Sequence, residues 1–181
     1  MTSLTVRNIC AILLIVSSTL DLISNLMYTG RDKLKWFVET PTYVKWERGA
    51  LIAAFVIAAL GVALLEIVLR EAGETILARL GATAFLIGAV VAIVAEGQSL
   101  SGATSTSALE VIMVVVLFVA EAILGAALLT SGLLPAWVGW TMVAWNIGWL
   151  IVLPIVTPRN IYFPALHFLL WLIGIMLLVV R

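Results

Sequence analysis

One cysteine and one histidine are all that this chain offers as thiolate and imidazole ligands. Cys10 alone excludes an internal disulfide and any multi-thiolate metal site. His167 alone excludes bis-histidine haem ligation, and no CxxCH is present for covalent haem attachment. HExxH, GxSxG and paired His/Cys spacings are missing too, so metalloprotease and serine-hydrolase chemistry lack their motifs. Charge is equally scarce. Only 11% of the residues are charged, where a soluble domain carries about 25%. The ten basic residues balance ten acidic ones, which leaves no basic face for nucleic acid. In place of these stands apolar material: 64% of the 181 residues, at a mean hydropathy of +1.21.

That material falls into six stretches, read against about 20 apolar residues per spanning helix. They cover residues 6–28, 49–69, 77–95, 108–130, 137–156 and 161–180. The runs are unbroken, whereas a membrane barrel alternates apolar and polar positions. The expected fold is all-α: one polytopic bundle of six transmembrane helices, with every connection a loop. The first stretch exceeds a signal-peptide core, carries Asp21 and Asn25, and lacks a small-x-small cleavage site, so it is expected to stay as a helix. An even helix number puts both termini on one side, side A. Side B then holds Arg31, Lys33, Lys35, Lys45, Arg48 and Arg159, and side A holds Arg7, Arg70, Arg79 and Arg181. A count of basic residues favours side B as cytoplasmic. The margin, six against four, is too thin to fix orientation.

An ionisable group inside a bilayer costs several kcal/mol unless it is paired or hydrated, so each one needs a reason. At about 1.5 Å per residue, Asp21, Asn25, Glu96, Glu110 and His167 all fall in the side B half. Asn146 lies near the middle of the fifth helix. Glu110 and Glu121 are eleven residues apart and share one helical stripe. If that stripe faces inward, Glu121 is the deep end of a polar path that Glu110 opens. Asp21, Asn25, Glu110, Glu121, Asn146 and His167 are therefore the candidate residues of a ligand or ion pocket. The competing reading has each group hydrogen-bonded on its own, holding the bundle in register. Glu66, Glu96 and Glu110, near helix ends, read more simply as solvated interfacial carboxylates. His167 with Asp21 or Glu110 could ligate a metal, or bind the metal of a tetrapyrrole, but a neutral histidine bonded to a neighbour is the commoner state. No metal site, catalytic residue or cofactor is assigned.

Seven tryptophans divide by depth. Trp36, Trp46, Trp137 and Trp140 fit interfacial belts. Trp145 and Trp149, four apart beside Asn146, line either a pocket for a flat apolar ligand or ordinary packing. The segment 29–46 mixes Trp36, Phe37, Tyr43 and Trp46 with Lys and Arg, as suits a loop lying in the headgroup layer. Leu60-Gly61-Val62, Leu124-Gly125-Ala126 and Ile173-Gly174-Ile175 end three helices alike. The repetition suggests a helical hairpin used three times, but Gly at close helix crossings is the preferred reading.

The turn Leu133-Leu134-Pro135-Ala136-Trp137-Val138-Gly139-Trp140, with a Pro-containing loop and a last helix carrying Gly174, resembles a broad group of uncharacterised bacterial multi-pass membrane proteins. Arg79-Leu80-Gly81 and the polar first loop follow the same order. That group usually has a basic residue where this chain has Ala136. The resemblance implies a bacterial inner-membrane protein and brings no activity or catalytic residue. Three classes of function follow: a structural or accessory membrane component, as a subunit of a larger complex or with a second copy of itself; a carrier or receptor for a small or lipidic ligand; and, weakest, a membrane enzyme using Asp, Glu and His. The lipid bilayer is the partner common to all three.

Overall fold

The computed structural model describes residues 2–32, 40–101, 107–152 and 166–180. It is built from α1 (Thr2–Asp32), α2 (Pro41–Glu71), α3 (Ile76–Leu100), α4 (Ser107–Ser131), α5 (Ala136–Val152) and α6 (Phe168–Val179), with no strand among the described residues. Four of these, α1 to α4, are long and apolar enough to cross a membrane. The chain is a membrane protein of the all-α class. The other two expected spans are present as shorter helices, α5 of 17 residues and α6 of 12. Their expected inner ends fall on residues 153–165, outside the described residues.

The largest departure from the sequence reading is the start of α2, which lies at Pro41 instead of residue 49. Thr40 is extended and its hydroxyl accepts from the Tyr43 amide at 3.1 Å. Pro41, with no N–H to waste, takes the first helical position. Hydropathy had placed Lys45, Glu47 and Arg48 in the loop, yet they occupy the first two turns of a helix. The expected headgroup loop is therefore helical at both ends, to Asp32 and from Pro41. Trp36 and Phe37 lie outside the described residues. Tyr43 turns back to donate to the Met27 carbonyl at 2.9 Å, and Trp46 faces outward, 71% exposed.

Consecutive helices from α1 to α5 pack side by side, and α6 lies along α1. Contacts at both ends of each pair show antiparallel neighbours. Cys10 Sγ meets the Gly61 carbonyl at 3.3 Å, and Ser24 donates to the Glu47 carbonyl at 2.9 Å. Gly81 approaches Leu124 while Gly88 approaches Leu117. The order around the bundle is α6–α1–α2–α3–α4–α5. Its two ends meet where the Trp145 ring lies 6.3 Å from Phe168. Two hairpins, α1/α2 and α3/α4, are thus plain, whereas α5 packs along α4 and α6 along α1.

Small residues permit this spacing. A β-carbon on Gly61, Gly125 or Gly174 would come within 2.7–2.8 Å of the neighbouring helix. On α3, Ala78, Ala82, Ala89 and Ala92 face inward while Leu80, Ile87 and Val90 face outward. The lipid face is as apolar as the core, so side-chain size, not polarity, separates them, with buried Phe85 the exception. At the side A end, Arg7 donates through Nε to the Leu177 carbonyl at 2.9 Å and through a terminal nitrogen to the Val180 carbonyl. The guanidinium thereby closes the C-terminus of α6, where carbonyls lack partners and positive charge is favoured.

The α2–α3 turn is held by Glu74. Its carboxylate accepts from the Leu77 amide at 2.9 Å and from the Thr130 hydroxyl at 2.8 Å. The Leu77 bond, followed by the Thr130 bond, keeps the Glu74 carboxyl below the usual carboxylate range. A lowered folded value means that this stability is present above the ordinary glutamate range and is lost as pH falls through the folded value. Acid titration of thermal unfolding in detergent checks the point. Wild type should lose stability on acidification, and Glu74→Gln should be flatter over the same range; parallel curves would show that the tether contributes nothing.

Candidate functional site

The buried polar groups divide into those that are satisfied and those that are not. Ser17 and Ser18 both donate to the Leu14 carbonyl, at 2.9 and 2.8 Å. Ser24 bonds across to α2 and Cys10 to Gly61. These need no further account. Asp21, Glu121, Asn146 and His167 do: each is buried, and each has a side-chain polar atom with no hydrogen-bond partner.

The first group lies in the side B half. Arg48 of α2 and Glu96 of α3 form a buried ion pair, with the Glu47 carboxylate 3.7 Å from the Arg48 Nε. Glu96 is accordingly not the solvated interfacial carboxylate that its place near a helix end suggested. The longer α3 runs on to Leu100 and so carries Glu96 inside the bundle, against Arg48. Asp21 of α1 is 0% exposed, and neither of its carboxylate oxygens is hydrogen-bonded. His167, in the turn that leads into α6, is within electrostatic reach of Asp21, as is Glu96. Phe55 meets the imidazole edge-on at 5.2 Å, and its Nδ1 is unbonded. Asn25, half-buried, donates to the Asp21 backbone carbonyl at 2.9 Å. Four helices thus bring an acid, an imidazole and an ion pair together where hydrocarbon would otherwise be.

Glu121 and Asn146 form the second group, on the facing helices α4 and α5. Glu121 is 1% exposed with both oxygens unpartnered. The Asn146 amide lies beside it without closing a hydrogen bond. It donates instead to the Met142 carbonyl at 2.8 Å, and its Oδ1 is left unbonded. The Gly88–Leu117 and Gly81–Leu124 approaches put Glu121 level with residue 84 of α3, twelve residues from Glu96. The two groups are therefore about 18 Å apart along the bundle axis. Glu110 sits half-buried in the first turn of α4, on the stripe that Val114, Leu117 and Glu121 continue inward.

Beside the second group runs a line of rings. Phe118 stacks on Trp149 with centroids 6.5 Å apart, and Trp149 meets Trp145 edge-on at 6.1 Å. With Phe168 this joins α4, α5 and α6, and its half-buried indoles pack against the core. Trp137 and Trp140, three apart on α5, are more than half exposed and face outward, while Leu134, Val138 and Gly139 of the same turn face in. Glu66, at side A, is half-buried with Arg79 at 3.7 Å and Arg70 at 3.8 Å.

Arg48 and Glu47 were absent from the candidates read off the sequence. Thr40-Pro41 is the signal that finds them. A helix started by that pair carries positions 47 and 48 about two turns inside, away from the headgroups. No group of three His, Cys, Asp or Glu side chains among the described residues is placed to hold a metal ion. Comparison with known proteins finds no matching family model, no similar curated protein and no similar solved structure.

Proposed function

We propose that this chain is a bacterial inner-membrane protein that acts as a carrier or receptor for a small ligand, bound at the buried cluster of Asp21, Arg48, Glu96 and His167. One observation carries this reading. Asp21 is wholly buried with neither oxygen closing a hydrogen bond, although the Asn25 amide lies beside its carboxyl, and it is within electrostatic reach of His167, whose Nδ1 is also unbonded. A group kept only to hold helices in register finds its partner within the protein, as Ser24 does at the Glu47 carbonyl. Leaving a polar group unpaired in an apolar interior costs roughly 1–3 kcal/mol, and a bound molecule that supplies the missing bonds offsets that cost. The ion pair beside it can read both signs of a polar ligand.

Purification from native membranes in mild detergent, followed by mass spectrometry of retained small molecules, tests the proposal. Wild type is expected to carry a small molecule that Asp21→Ala and His167→Ala lose, while the variants keep their helical content. A stoichiometric protein partner with no retained small molecule would move the case to an accessory subunit and overturn this reading.

A further inference from the structure

Glu121 and Asn146 pose a separate question, because they lie about 18 Å from that cluster and no step proposed above uses them. The group is rich in acceptors. Both Glu121 oxygens and the Asn146 Oδ1 are buried without a hydrogen bond, and of the two N–H groups on the Asn146 amide, which lies beside Glu121, one is taken by the Met142 carbonyl. Among the described residues, no charged side chain faces Glu121 from α3 or α5. Opposite it α3 presents Ala82, Phe85 and Gly88, and α5 presents Met142 and Asn146. One remaining N–H cannot satisfy three oxygens. In an apolar interior a bare carboxylate is too costly to persist. What completes the set is a cation: a proton on one carboxyl oxygen, or a small hard ion of the kind that oxygen donors hold.

We infer that Glu121, with Asn146, is an exchangeable monovalent-cation site in the middle of the bundle, taking a proton or Na⁺. The inference stands whether or not Asp21 and His167 hold a ligand. If both sites are occupied, the ion is the natural coupling partner for uptake or release at the side B cluster. The Phe118, Trp149 and Trp145 rings lie within a turn of the two residues. They keep the neighbourhood apolar and so make occupancy by a cation depend on the site's own oxygens.

Dicyclohexylcarbodiimide is a direct probe, since it is itself apolar and reacts only with the carboxylic acid form. The acid O–H adds across one C=N bond, and the adduct rearranges to an N-acylurea that keeps the whole mass of the reagent, with no leaving group. The intact protein is treated in native membranes, and the modified position is found by peptide mass spectrometry. Glu121 is expected to be labelled, and Glu121→Gln to lose that adduct. Labelling should fall about tenfold per pH unit once the acid form is depleted. If Na⁺ protects and choline at equal ionic strength does not, the occupant is Na⁺; if only alkaline pH protects, it is a proton. Asn146→Leu should shift the pH at which labelling halves, which a mere packing role for Asn146 would leave unchanged. No adduct at Glu121, or an adduct indifferent to both pH and Na⁺, would overturn the inference.

Discussion

Arg48→Ala is expected to destabilise the protein by about 3–5 kcal/mol, the cost of leaving a buried charge without its partner. The side chains of Arg48 and Glu96 are 8% and 4% exposed, and Glu47 beside them is buried as well. Removing the guanidinium strands the buried Glu96 carboxylate and takes a cation from beside Glu47. Glu96→Gln should cost less. The amide oxygen still accepts from the arginine, and Glu47 at 3.7 Å still balances part of its charge. Most informative is the set Arg48→Met, Glu96→Met and Glu47→Gln, which removes all three buried charges and fills similar volume. It should recover much of the loss, because buried ion pairs are often no better than packed apolar residues. Thermal unfolding in detergent, followed by circular dichroism, gives all three values. An Arg48→Ala protein within about 0.5 kcal/mol of wild type would mean that the pair is hydrated and surface-like.

The same residues show why part of this site was legible in the sequence and part was not. Depth along a helix can be counted, so Asp21 and His167 are both assignable to the side B half from position alone. Which way a helix turns cannot be counted when its outer face is as apolar as its inner one. On α3 the inward stripe is Ala78, Ala82, Ala89 and Ala92 and the outward one Leu80, Ile87 and Val90, indistinguishable by hydropathy. A rule of small residues inward would have oriented it. Helix ends were lost for another reason. Lys45, Glu47 and Arg48 lower the hydropathy of the first two turns of α2, so the apolar run begins at Gly49 while the helix begins at Pro41. Cap chemistry at Thr40 outranks hydropathy there. Glu96 is hidden for the same reason, since hydropathy puts its partner Arg48 in a loop. The repeated Gly positions, by contrast, carry their meaning openly: Gly61, Gly125 and Gly174 each mark a close approach.

One of those approaches joins stability to the proposed ion site. Gly125 of α4 and Gly139 of α5 face each other, so that a β-carbon on Gly139 would lie 2.6 Å from Leu129 Cγ and 2.8 Å from the Gly125 carbonyl oxygen. The leucine can rotate away, but the carbonyl belongs to the backbone of a helix and moves only if the helix moves. Gly139→Ala should therefore force α5 off α4 and cost about 1–3 kcal/mol, as overpacking does. Helix propensity runs the other way, favouring alanine by about 0.5–1 kcal/mol. Gly148→Ala, on the same helix with nothing within 4 Å of the added carbon, isolates that gain and should stabilise the protein. Opposite signs for the two substitutions in one unfolding assay are the expected result; equal signs would mean that the α4–α5 crossing is not tight. The crossing also sets the distance between Glu121, one turn before Gly125, and Asn146, two turns after Gly139. Prising it open should separate the carboxyl from the amide and admit water between them. Carbodiimide labelling of Glu121 should then fall in Gly139→Ala even where the helices persist, and remain at the wild-type level in Gly148→Ala.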